Sequence, residues 1–273
     1  MKLSFKTFIL ESWRSTIISR DEALDFMRAH CSEALSNDVP VIFRGVANHT
    51  EKPEYHLSKP SNYTRQSKNT SNYYTLIIDN HPAWAKYPKR SKSLICTNRA
   101  NFNYIEGFGT AGIVIPVNGA KIGQCVEFDF WDSFNELDEL GISNMANFNF
   151  LLSKTWEGTG FRIPHDVSDY KDMKMALEFG NDLLQDPEEE HSDRLQDVFK
   201  TVISGKETLT EFVHRILDPV RNDFTLTNIK NLNPADGQMR EIWTDADSII
   251  LIPNDSFDRN KLDQFYRDIK NEI

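Results

Sequence analysis

Only three cysteines occur in 273 residues, Cys31, Cys96 and Cys125. They are odd in number, far apart and form no CxxC pair. That excludes a disulfide frame and a cysteine zinc site, and it points to reduced thiols in a cytoplasmic compartment. No apolar run is much longer than a strand, so nothing matches the roughly 20 residues of a membrane-spanning helix. The first residues, MKLSFKTFILESW, carry a lysine but no long apolar stretch or small-residue cleavage site, so no signal peptide is expected. GxSxG and Walker patterns are absent, which removes the usual hydrolase elbow and P-loop. EGFGTAG (106–112) has one GxGxxG spacing, but a strand pattern rather than a helix follows it, so it reads as a turn. His165-Asp166 and His214 have no partners at metal-ligand spacing, so no metal is expected. No internal repeat, heptad array or low-complexity tract is present.

What is there is ordinary globular composition, 39% hydrophobic, in a chain long enough to bury a core without staples. The net charge of −10 is unevenly spread. Between Tyr55 and Ile105 lie Lys59, Arg65, Lys68, Lys86, Lys89, Arg90, Lys92 and Arg99 against the single acid Asp79. That window carries +7, which leaves −17 on the remainder. The asymmetry is either a solvated basic loop or a local electropositive field for a phosphate-bearing ligand.

Ser19-x-x-Glu22 has the form of a capping box, and Leu24, Met27, Cys31 and Leu35 follow at helical spacing, so 20–35 reads as a helix. PVIFRGV (40–46) reads as a buried strand. Residues 50–72 are polar and aperiodic and read as a long functional loop. YTLIID (74–79), SLICT (93–97) and AGIVIPV (111–117) read as strands, ANFNYI (100–105) as a short helix, and Asn118-Gly119 as a turn. The β pattern continues through 121–131. Helical spacing then covers 171–184, 188–204 and 207–217, and REIWTDADSIILIP (240–253) reads as two strands around a tight turn before a last helix at 256–270. Strands on both sides of a helical block indicate an α+β fold with the late strands completing the early sheet.

Several residues invite chemistry. Arg44 ends an apolar strand, where a buried guanidinium requires an internal carboxylate or a ligand anion, and Gly45 beside it permits close approach. Thr97 and Asn98 end the 93–97 strand with polar groups. Glu241 opens a late strand between Arg240 and Ile242, either as a salt-bridged surface residue or facing a developing positive charge.

The order of these segments resembles the mono-ADP-ribosyltransferases of the arginine–serine–glutamate class. IFRG, LICTN followed by A-x-x-x-Y, VIPVNGAKIG and REIWTDADSIILI carry the likeness, over about 20–131 and 238–253. The resemblance implies a split β-sheet core with an N-terminal helix, forming one domain over 1–273 with a helical insertion at about 133–235. It implies NAD as the consumed cofactor, with Arg44 anchoring its phosphates and Arg90 adding charge. The family's serine–threonine–serine turn falls on Cys96-Thr97-Asn98, leaving Thr97 in the role and Ser93 in reserve. Gly45 and Asn98 would line the same NAD site, Tyr104 or Phe108 would stack on nicotinamide, and Glu241 would be the catalytic carboxylate.

Two features depart from the family pattern. Arginine-modifying members carry a second carboxylate two residues before the catalytic one, where this chain has Met239; Gln238 falls on the opposite strand face. Thr97 and Glu241 are 144 positions apart, whereas Glu127-x-Asp129 lies 30 positions from Thr97 and is the alternative carboxylate pair. The expected function is therefore an intracellular transferase of ADP-ribose to a nucleic acid such as RNA or to a protein side chain. The roles that fit are a toxin or an antiviral conflict effector with an antitoxin partner. A catalytically inactive interaction module and an NAD glycohydrolase are the alternatives.

Overall fold

The computed structural model describes residues 15–46, 52–65, 72–98, 110–157, 159, 169–188, 191–233, 238–254 and 259–273. The chain divides into two compact units. One comprises Met1–Asn69, Tyr87–Asp129 and Thr225–Ile273; the other comprises Thr70–Lys86 and Phe130–Phe224. The strands are β1 (Ser15–Ile18), β2 (Ile42–Val46), β3 (Glu54–Ser58), β4 (Leu94–Thr97), β5 (Thr110–Pro116), β6 (Lys121–Gln124), β7 (Thr225–Asn228), β8 (Glu241–Thr244) and β9 (Ser248–Ile252). The helices are α1 (Arg20–His30), α2 (Asn72–Asn80), α3 (Glu136–Glu139), α4 (Met145–Lys154), α5 (Tyr170–Gln185), α6 (Asp193–Val198), α7 (Lys200–Ile203), α8 (Leu209–Ile216) and α9 (Arg259–Asn271). All nine strands belong to the first unit and form one antiparallel sheet in the order β1-β3-β9-β5-β2-β4-β8-β6-β7.

That sheet has a weak seam. β2 and β5 pair over five residues and β4 and β8 over four, but among the described residues β2 meets β4 only at Phe43–Thr97. The connections show what the seam is for. β8 and β9 lie four strand intervals apart in the order, about 19 Å in a flat sheet at about 4.8 Å per interval. Yet only Asp245–Asp247 links them, and four Cα steps reach about 14 Å at most. The sheet must therefore fold back on itself, and the single-pair seam is the place where it can. β5 and β6 make the same crossing through residues 117–120. The two crossings are tied together, since the Val117 N–H donates to the Asp247 carbonyl at 3.0 Å.

Local sequence explains the elements around this core. Ser19 Oγ accepts from the Glu22 N–H while the Glu22 carboxylate accepts from the Ser19 N–H, completing the capping box of α1. Asp21 and Glu22 at its start and Arg28 and His30 at its end suit the helix dipole, and Ala23, Leu24 and Met27 bury its inner face. β5 and β9 are buried on both faces, which their unbroken apolar runs foretell. Gly123 of β6 pairs with Trp243 of β8, and a Cβ there would fall 2.3 Å from the indole ring. The glycine is thus a seat for the tryptophan.

The second unit is helical and aromatic. Trp84, Phe130, Trp131, Phe134 and Phe224 form a chain of ring contacts 4.8–6.1 Å apart. Gly180 of α5 lets Trp156 pack, since a Cβ would meet its ring at 2.6 Å. The His81 and His214 rings lie 4.3 Å apart and tilted, with His81 Nε2 donating to the His214 carbonyl at 3.0 Å.

Several sequence expectations need correction. YTLIID is not a strand but the body of α2, because Tyr73, Tyr74, Ile77 and Ile78 bury one helical face. The polar stretch 50–72 is not all loop, since β3 runs through it between β1 and β9. The strand pattern of 121–131 stops at Gln124, so Glu127-x-Asp129 shares no strand face. The helix expected over 20–35 ends at His30, and 188–204 yields two short helices broken at Phe199. The two strands in 240–253 exist but pair with different neighbours. The expected helix at 100–105 lies outside the described residues.

Two measurements test this account. Gly123→Ala should lower stability by about 1–3 kcal/mol through overpacking against Trp243, read from the urea midpoint; an unchanged midpoint would refute the seat. His214 has its pKa pushed down to about 4 by burial, with His81 adding to the effect. Below its ordinary 6.5 the unfolded chain takes up a proton that the folded chain refuses, so stability falls as pH drops from 6.5 towards 4. His214→Gln should flatten that part of the pH–stability curve relative to the parent chain.

Candidate functional site

The seam brings together residues far apart in sequence. The β4–β8 register sets Thr97 directly opposite Glu241, and the Phe43–Thr97 pair places Arg44 on the adjoining strand. Where a continued ladder would set Gly45 against Ile95, the Ile95 carbonyl instead accepts from Arg44 Nη1 at 2.6 Å. The guanidinium thus takes over a backbone acceptor that the diverging strands leave behind. Arg44 is buried, Gly45 lies beside it in β2, and Thr97 is half-buried.

Glu241 is fully enclosed at 0% exposure, and Arg90, itself buried, donates to its Oε1 through Nη2. Arg90 arrives on a short turn, Arg90–Lys92, and its guanidinium carbon lies 5.3 Å over the Trp243 ring. Trp243 is fixed in turn by donating from Nε1 to the Pro88 carbonyl at 3.1 Å and by the Tyr87 ring stacked on it at 6.2 Å. Gly123, Trp243, Arg90 and Glu241 therefore form one packed assembly.

The sequence expectation gave Arg90 to ligand phosphate; here it holds the carboxylate. Sequence reasoning also missed Gly123 and Trp243, although a lone glycine inside a strand signals close approach of a neighbour.

The charges converge on Cys96. Burial pushes its thiol up to about 12, with Arg44 pulling down, Glu241 pushing up and Arg90 pulling down. At neutral pH it is a protonated thiol, without nucleophilic character. Asn98 is buried beside the pair: its Oδ1 accepts from the Arg240 N–H at 2.9 Å, and its own N–H donates to the Arg240 carbonyl at 3.3 Å. Its Nδ2 has no hydrogen-bond partner. Ser93 is turned away, donating to the Lys89 carbonyl at 2.7 Å.

Glu127 is exposed but close in backbone terms, since the Glu241 N–H donates to its carbonyl at 3.3 Å. Asp129 is buried at the end of the same irregular stretch. Tyr104 and Phe108 lie outside the described residues. Among the described residues, no group of three or more His, Cys, Asp or Glu is arranged to hold a metal, and no helix is long and apolar enough to cross a membrane.

Comparisons with protein-family models, with curated proteins and with solved structures find no match to this chain.

Breaking the buried pair gives a direct test. Arg90→Met leaves the Glu241 charge without its guanidinium and should cost about 3–5 kcal/mol, whereas Arg90→Met/Glu241→Met should recover most of that loss. Urea unfolding of both variants checks it, and equal losses in the two would show that packing, not charge, governs the assembly.

Proposed function

We propose that the chain is an NAD-consuming ADP-ribosyltransferase whose acceptor is a nucleic acid or a protein. The observation that carries the reading is the register that sets Thr97 against Glu241, with Arg44 on the strand next to them. These are residues that the sequence resemblance nominates, and they meet across gaps that sequence distance alone does not close. In this reading the nicotinamide–ribose bond breaks with its electron pair leaving on nicotinamide. The ribose gains cationic character, the Glu241 carboxylate stabilises it, and the acceptor attacks the same carbon. Arg44 and Arg90 meet the pyrophosphate. Because Arg90 also neutralises Glu241, the incoming phosphates supply it with a second anion and release the carboxylate towards the sugar.

A second reading, a non-catalytic module of similar fold, is favoured by the complete enclosure of Glu241 in its pair with Arg90. Incubation with labelled NAD, with cell protein and RNA as separate acceptors, separates the two. Transfer of label supports the transferase. Nicotinamide release without labelled acceptor indicates plain hydrolysis, and neither product leaves the module. Glu241→Gln still accepts from Arg90 and should stay folded by circular dichroism, yet lose about 100–1,000-fold in nicotinamide release. Full turnover in that variant, with loss in Glu127→Gln, would move the catalytic role to the exposed neighbour. Arg44→Ala should weaken NAD binding itself, by calorimetry.

A further inference from the structure

The segments that flank Arg90 also build a surface. Arg65 donates from its N–H to the Ser91 carbonyl at 2.8 Å and from Nη1 to the Arg90 carbonyl at 3.2 Å. These bonds dock the 59–65 segment on the 89–92 turn, so Lys59, Arg65, Lys89 and Lys92 gather on one side of the first unit. Lys59 and Lys89 are exposed, and Arg65 and Lys92 are half-buried. No acid occurs in 55–65 or 87–98, and Asp245 Oδ2 accepts from the Lys89 N–H at 3.3 Å at this edge. Tyr63 and Tyr87 are half-buried among these cations. The sequence thus concentrates positive charge in two stretches, and the fold joins those stretches beside the guanidinium that holds Glu241.

We infer that this surface docks a single-stranded nucleic acid, which is then the acceptor of the transferase; the acceptor role rests on the function proposed above. Exposed cations on short irregular segments suit a flexible phosphate backbone, and partly exposed tyrosines offer faces on which bases stack. An acidic peptide would supply the charge but not the rings. The −17 carried by the rest of the chain repels a polyanion elsewhere, which confines contact to this face.

Fluorescence anisotropy with labelled 20-nucleotide single-stranded RNA and DNA, and with a polyglutamate peptide of equal charge, tests the dock without NAD. Binding should fall with salt at a log–log slope of about −2 to −3, or roughly −0.7 per phosphate contacted. Lys59→Gln/Lys89→Gln should bind at least about 10-fold more weakly, with a slope shallower by about 1.4, while nicotinamide release is unchanged. Salt-independent or absent binding, an unaffected double variant, or equally tight polyglutamate binding would each overturn the dock. The RNA and DNA arms identify which strand is held. Nicotinamide release without nucleic-acid binding removes the dock and leaves the transferase. Binding without release removes the transferase and leaves the dock.

Discussion

Among the described residues, Phe43 and Thr97 make the one pairing that holds β2 to β4, and the sheet turns about it. On either side the ladders are continuous; across it there is a single register point and the reach of Arg44 to the Ile95 carbonyl. Short crossings at 117–120 and 245–247 forbid a flat arrangement, so the chain concentrates its bending at one line. A sheet opened along a line exposes unpaired backbone groups, and polar side chains must satisfy them. The buried arginine at the end of an apolar strand meets one such group, the Ile95 carbonyl.

The same line gathers a denser electrostatic problem. Glu241 and Arg90 are both removed from water, and each is tolerable only because of the other. Trp243 roofs the guanidinium, Gly123 seats the tryptophan, and the Lys89–Ser93 turn carries Arg90 into place. In structural terms this is a closed assembly. In functional terms it is a carboxylate held in reserve, whose availability depends on what else its arginine can bind. The two descriptions share every contact and differ in whether the pair ever exchanges partners.

Much of the framework was legible in the sequence. The capping box located α1, and the apolar runs located β2, β4, β5, β8 and β9, because buried strands announce themselves by composition. β1 and β3 were hidden: Ser15–Ile18 is a short edge strand with two exposed residues, and Glu54–Ser58, between β1 and β9, interleaves Glu54, His56 and Ser58 with its apolar residues, so no continuous run forms. Residues 74–79 misled for the opposite reason, since Tyr, Ile and Leu on consecutive positions fit either period. At the site, Arg44, Thr97 and Glu241 were nominated by type and order. The Arg90–Glu241 pairing was not, because no local pattern records a contact between residues 151 positions apart.

Gly123 and Trp243 also speak to how such a chain drifts over generations. The indole occupies the volume that any side chain at 123 would need, so neither position is free to change first. A lineage that trades the tryptophan for something smaller unlocks its partner and, in the same step, unroofs the arginine beneath. Covariation between these two columns, rather than strict invariance of either, is the signature this core should leave in descendants.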